Sequence, residues 1–130
     1  MTKHFQAIQD AVPVRAGDCG AAQARTAGKY EVKQRETLAE VPGLRVRVLT
    51  LQRGQIVPWH LHNHITDTFF CMRGPMRILT RSPQASHGLH AGDTLAVPAG
   101  TPHRVECDAN ECRFMIIQGV GEYDYVPVKE

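Results

Sequence analysis

Residues 54–74 read GQIVPWHLHNHITDTFFCMRG, and residues 92–107 read GDTLAVPAGTPHRVEC. In the first stretch His60 and His62 stand two apart in an extended context, between Gly54 and Gly74. Side chains at i and i+2 of a strand share a face, so the two imidazoles point the same way, with Cα atoms about 6.5 Å apart. Arms of that length can converge until both nitrogens sit about 2.1 Å from one ion. A third ligand must then come from a different strand. His103, which follows Pro98 and Gly100 in the second stretch, is placed to supply it.

The flanking sequence predicts strands. Tyr30–Thr37 and Leu44–Gln52 look extended and are separated by a Val41-Pro42-Gly43-Leu44 turn signal. Ile56–His62, Thr68–Arg73 and Met76–Arg81 follow, then a loop over 82–88, then Asp93–Val97, His103–Cys107 and Cys112–Gly119. Many short strands with closely spaced turn signals argue for an all-β sandwich or barrel. Residues 1–28 read as a lead-in: Phe5–Val12 suits a short helix ended by Pro13, and the Gly, Ala and Cys mixture after it suits a loop. Residues 29–130 are then one barrel domain, which fits a 130-residue chain.

The two quoted stretches resemble the cupin motifs. Gly54, His60, His62, Asp67 and Gly74 fall on G-x5-H-x-H-x4-E-x6-G, with Asp in place of Glu. Gly92, Pro98, Gly100, His103 and Cys107 fall on G-x5-P-x-G-x2-H-x3-N, with Cys in place of Asn. An HxH alone is weak; two motifs in order with every spacing kept are specific. The resemblance implies a cupin double-stranded β-helix, or jelly-roll, barrel. It also implies one divalent transition metal per chain (Fe, Mn, Ni, Co or Zn) on His60, His62, His103 and Asp67. Asp67 is one carbon–carbon bond, about 1.5 Å, shorter than Glu. It either ligates directly, serves as a base, or holds a water or a histidine N–H outside the ligand set. His64 is a candidate for such an outer position.

Strand parity nominates Phe69, Cys71, Val105 and Cys107 as cavity-lining, with Met115 and Ile117 as further apolar wall. Cys107 is open to three readings: a soft ligand, half of a pair with Cys112, or a free buried hydrophobe, the favoured one. Phe70 and Met72 face the other side of their sheet, and Trp59 faces away from His60 and His62. His4, His87 and His90 are read as solvated.

Composition narrows the function. A net charge of +2 is too small to argue for nucleic acid, and Arg45, Arg47 and Arg53 read as a solvated strand face. No signal peptide and no membrane-spanning segment is evident, so a cytoplasmic location is expected, with the four cysteines reduced. Three histidines and a carboxylate leave coordination positions open, which suits catalysis more than a closed structural site. The expectation is a dioxygenase-type enzyme acting on a small oxygenated, chelating substrate. A metal-dependent isomerase or lyase and a non-catalytic binding or sensing barrel are the alternatives. A homodimer is the expected assembly, formed by exchange of the lead-in or the tail Tyr123–Glu130.

Overall fold

The computed structural model describes residues 30–130; the expected Phe5–Val12 helix lies outside the described residues. The strands are β1 Gln34–Val41, β2 Leu44–Gln52, β3 Ile56–Leu61, β4 Thr66–Arg73, β5 Met76–Thr80, β6 Ala85–Leu89, β7 Thr94–Val97, β8 His103–Cys107, β9 Glu111–Gly119 and β10 Val126–Pro127. They form two five-stranded sheets, β1-β2-β9-β4-β7 and β10-β3-β8-β5-β6, with antiparallel pairing throughout. This is the expected all-β jelly-roll barrel. Among the described residues no helix is long and apolar enough to cross a membrane.

Two strands lie where none is expected. Ala85-Ser86-His87-Gly88 has weak strand propensity, yet β6 forms because β5 pairs with it, Ile78 opposite His87 and Met76 opposite Leu89. His87 is therefore a half-buried strand residue, not a solvated loop residue. The tail returns to its own barrel: Val126 pairs with Leu61, Pro127 with His60, and the Val128 N–H donates to the Trp59 carbonyl at 3.0 Å. Pro127 is tolerated because β10 is an edge strand.

Cross-strand partners share a face, so the register of the first sheet fixes what points inward. Three inward rows run across it: Leu49–Phe114–Cys71, Arg47–Ile116–Phe69, and Arg45–Gln118–Asp67. On β2, β9 and β4 the first row is fully buried apolar core, with the buried Arg35 of β1 beside Leu49, and Phe69 packs on Phe114 with ring centroids 5.9 Å apart. This register corrects the expected wall. Met115 and Ile117 face outward, Ile117 being 39% exposed, and Ile116 takes the inward position. The uninterrupted apolar run Met115-Ile116-Ile117 carries no alternation from which parity can be read. Arg45 and Arg47 are likewise partly buried and inward-facing, not a solvated face.

Gly74 keeps its place by close approach: a Cβ there would stand 2.9 Å from the Leu89 carbonyl oxygen and 3.1 Å from Cys71 Sγ. Cys71 points inward as expected but packs in the core behind Phe69 and does not line the cavity described below.

Cys107 is not a free core thiol. It is disulfide-bonded to Cys112, with Cα atoms 5.7 Å apart, and it too stays out of the cavity lining. Cys107 ends β8 in one sheet and Cys112 lies near the start of β9 in the other, so the bond ties the two sheets at the apolar end of the barrel. A non-reducing peptide map is expected to recover residues 107 and 112 in one linked fragment. Replacing both by Ser is expected to lower unfolding stability by about 2 kcal/mol while leaving the fold intact, as read by chemical denaturation.

Candidate metal centre

His60 and His62 reach the interior by separate local devices. In β3 the register slips between Val57 and His60: three residues of β3 span two of β8, where Val57 faces Val105 and His60 faces His103. The bulge at Pro58-Trp59 lets both Val57 and His60 point inward, although a regular strand would put them on opposite faces. Proline fits there because it has no N–H to lose. Trp59 turns outward and receives the Arg81 guanidinium over its ring at 3.9 Å. His62 lies just past the end of β3, where the Gly100 N–H donates to its carbonyl at 2.7 Å. Gly100 sits at φ +83°, a conformation that favours glycine. Asp67 comes from the other sheet, opposite Gln118 and Val97, because β4 begins at Thr66, earlier than expected.

His60, His62, Asp67 and His103 are all buried, and one ligand atom from each lies within 4.8 Å of every other. Each imidazole has its Nδ1 on a backbone carbonyl: His60 on Pro58 at 2.7 Å, His103 on Thr101 at 2.8 Å, and His62 on Asp124. A carbonyl only accepts, so each Nδ1 holds the proton and each Nε2 presents a lone pair. These three Nε2 atoms face Asp67 Oδ2, at 2.9 Å from His103, 3.0 Å from His62 and 3.9 Å from His60. Donors about 2.1 Å from one ion are about 3.0 Å apart when at right angles and about 4.2 Å apart when opposite. The three spacings to Asp67 fall within that range, and all four ligand atoms lie within 4.8 Å of one another, so the four side chains are placed to hold a single divalent ion.

Without an ion, Asp67 and the imidazoles shift one another. Burial would raise the Asp67 pKa, but the imidazoles of His103, His60 and His62 hold it well below the usual carboxylate range. Burial pushes His60 below its ordinary value, even with Asp67 opposing. His62 is raised: burial lowers it, and Asp67 and the Asp124 carbonyl and carboxylate more than offset that.

A second layer of contacts, which the motifs do not mark, orients the carboxylate. Gln118 Nε2 donates to Asp67 Oδ1 at 3.2 Å, and Arg45 Nε donates to Gln118 Oε1 at 3.1 Å. Arg45 fixes which end of the amide faces Asp67, and its guanidinium lies over the Tyr123 ring at 3.7 Å. Tyr125 stacks on His60 at 4.7 Å with planes 13° apart, and Tyr123 lies 5.3 Å from His62. Burial raises the pKa of both phenols, so they stay protonated. His64 takes no part: it is exposed, because the chain has already turned at Asn63. The Asn63 backbone and side chain both donate to the Asp124 carboxylate, which anchors the carbonyl used by His62.

The cavity is lined by Tyr30, Arg47, Phe69, Val105, Ile116 and the tyrosines of the tail, together with His60, His62 and Asp67. Phe69 and Val105 are thus where parity put them. The free volume is about 10 Å³, room for one ion or one water. Anything larger than one water would have to displace part of the Tyr30, Tyr123 and Tyr125 lining. A larger groove of about 680 Å³ runs outside, beside Glu40–Arg45 and Val120–Tyr123, with Gln118 and Arg45 forming the wall towards the cluster.

Comparison with known proteins supports this architecture. The family described as "Cupin domain" matches residues 47–124, more than half of the chain. Quercetin 2,3-dioxygenase of Bacillus subtilis (strain 168) is 32% identical over 63 residues, which cover 48% of this chain and 18% of the dioxygenase. This chain therefore matches only a minor part of that relative's length. A Klebsiella pneumoniae protein with a double-stranded β-helix domain superposes with a TM-score of 0.66 at 21% identity, covering 74% of this chain and 84% of that one. Oxalate oxidase superposes with a TM-score of 0.61 at 19% identity, covering 66% and 46%. The two structural likenesses show a common fold.

Gln118 gives a direct check on this second layer. Gln118→Leu is expected to weaken divalent-metal affinity about 10- to 100-fold without unfolding the barrel, measured by competition with a chelating indicator.

Proposed function

The chain belongs to the cupin family, and from that premise we propose that it is a metal-dependent enzyme of dioxygenase type acting on a small, oxygenated, chelating substrate. The observation that carries the reading is the convergence of three Nε2 lone pairs and one carboxylate oxygen, with every Nδ1 proton already committed to a carbonyl. Four acceptors facing one another need a cation between them. His60, His62, Asp67 and His103 would hold it. A bound divalent ion supplies Lewis acidity and open coordination positions for a chelating substrate and, if redox-active, for dioxygen.

The protein's own groups do the rest. Asp67 acts here as ligand, not as base: its Oδ2 faces the imidazoles, its Oδ1 accepts from Gln118, and its low pKa makes it a weak proton acceptor. Phe69, Val105 and Ile116 form an apolar floor that keeps water from the reacting atoms. Tyr123 and Tyr125, protonated and placed at the mouth, cap the substrate. The 32% identity to a quercetin dioxygenase supports oxygen chemistry over its alternatives.

Protein purified without chelator is expected to carry close to one transition metal per chain by elemental analysis. His60→Ala combined with His103→Ala should abolish that content in a folded barrel, and full occupancy in the double variant would sink the assignment. With Fe(II) loaded, turnover should consume dioxygen; product formed without oxygen uptake would move the reaction to an isomerase or lyase, and binding without product to a sensing role.

The reading includes a homodimer. On the outward face of the first sheet Val46, Met115, Phe70 and Ile117 lie on adjacent strands, with Phe70 and Ile117 37% and 39% exposed. A second copy would cover it. Sedimentation is expected to give a dimer that Phe70→Glu with Ile117→Glu converts to monomer.

A further inference from the structure

Among the described residues, Arg47 is an inward cation with a buried donor that no group accepts from. Arg47, on β2, lines the same cavity as His60, His62 and Asp67, in the row next to Asp67. Its Nε is buried and makes no hydrogen bond. The neighbouring inward arginine is already engaged, since Arg45 holds Gln118 and lies over Tyr123. Among the described residues no carboxylate bears on Arg47: burial first, then Arg45 and Arg35, disfavour its positive charge, opposed by Tyr30 and Tyr123. A guanidinium held in a cavity without a counter-ion is costly. Such a cost is retained where a ligand supplies the missing acceptor.

Building on the metal reading above, we propose that Arg47 is the anion-recognition residue of this cavity, and that the substrate is a small carboxylate bearing at least one further oxygen donor for the metal. The charge balance points this way. A divalent ion with three neutral imidazoles and one carboxylate keeps a single positive charge, and Arg47 adds another beside it. The planar fork of arginine matches a carboxylate bidentately, which a lysine cannot do. A neutral diketone or catechol would satisfy the metal but leave Arg47 desolvated and unpaired, so the site discriminates against it. The Tyr30, Tyr123 and Tyr125 cap and the small cavity limit the acid to a few carbons unless the cap turns aside.

The test is calorimetric titration of Co(II)-loaded and metal-free protein with pyruvate, with lactate, and with hydroxyacetone as their neutral counterpart. Wild type, Arg47→Gln and Arg47→Lys are compared, with metal content and Tm measured on each. Arg47→Gln is expected to lose about 10- to 100-fold in affinity for the carboxylates and nothing for hydroxyacetone. Arg47→Lys should fall between, and it carries the comparison should Arg47→Gln not fold. Metal content should be the same in all three. The Tm of Arg47→Gln should equal or exceed that of wild type, because an unpaired buried charge is removed; a purely structural arginine would give a lower Tm. Equal carboxylate affinity in wild type and Arg47→Gln, or no carboxylate binding to loaded wild type, overturns the assignment and leaves the metal site standing. Absence of metal from wild type overturns the enzyme reading instead. The metal-free titration then decides on Arg47: carboxylate binding that depends on it supports the assignment, and binding that does not overturns it.

Discussion

The commitment of three imidazole Nδ1 protons to backbone carbonyls is the constraint around which the rest of the molecule is arranged. Pro58, Thr101 and Asp124 supply those carbonyls from the β3 bulge, the turn before β8 and the tail. Each carbonyl sets a ring rotation and a tautomer together. Once set, the Nε2 atoms have nowhere to place their lone pairs except towards each other and Asp67. The tail is therefore part of the site: without the Asp124 carbonyl, held in place by Asn63, His62 would be free to turn. Pairing of β10 with β3 holds that segment against the barrel mouth.

Much of this was readable from local spacing, and the limits follow from what spacing can carry. The i, i+2 rule put His60 and His62 on one face, and the second stretch nominated His103 from another strand, which the register sets opposite His60 on β8. The Asp67 substitution raised the question of reach, and the answer lay in register: β4 starts early enough to place Asp67 in a paired row with Gln118. Register is a property of two strands, and neither strand encodes it alone. The same reason hid Gln118, Arg45 and Arg47, which lie outside both quoted stretches yet are brought inward by pairing with residues already known to face in. Ile116 was missed by one position because its neighbours are equally apolar, and the β3 bulge is invisible to a strict period of two. For Cys107 the sequence offered only a five-residue separation from Cys112; what decides the pairing is that the turn between them crosses from one sheet to the other.

The inward rows of the first sheet also explain why one end of the barrel is chemical and the other is not. Moving two residues at a time towards the mouth, the rows change from Leu49–Phe114–Cys71 to Arg47–Ile116–Phe69 to Arg45–Gln118–Asp67. Along β2, β9 and β4 polarity rises by row, so the apolar core that stabilises the fold lies beneath the polar cluster; Arg35 of β1, buried beside Leu49, is the exception at the lower end. Phe69 is the boundary residue: it packs on Phe114 below and meets the His103 ring edge-on above, at 6.0 Å and 82°. Removing water beneath the ligands strengthens every charge interaction above. It also raises the cost of any charge left unpaired. Asp67 escapes that cost because four polar groups surround it, whereas Arg47, one row deeper and beside Phe69, has no acceptor for its buried Nε among the described residues. The same apolar floor that sharpens the metal site thus makes the missing counter-charge of Arg47 a demand on whatever enters the cavity.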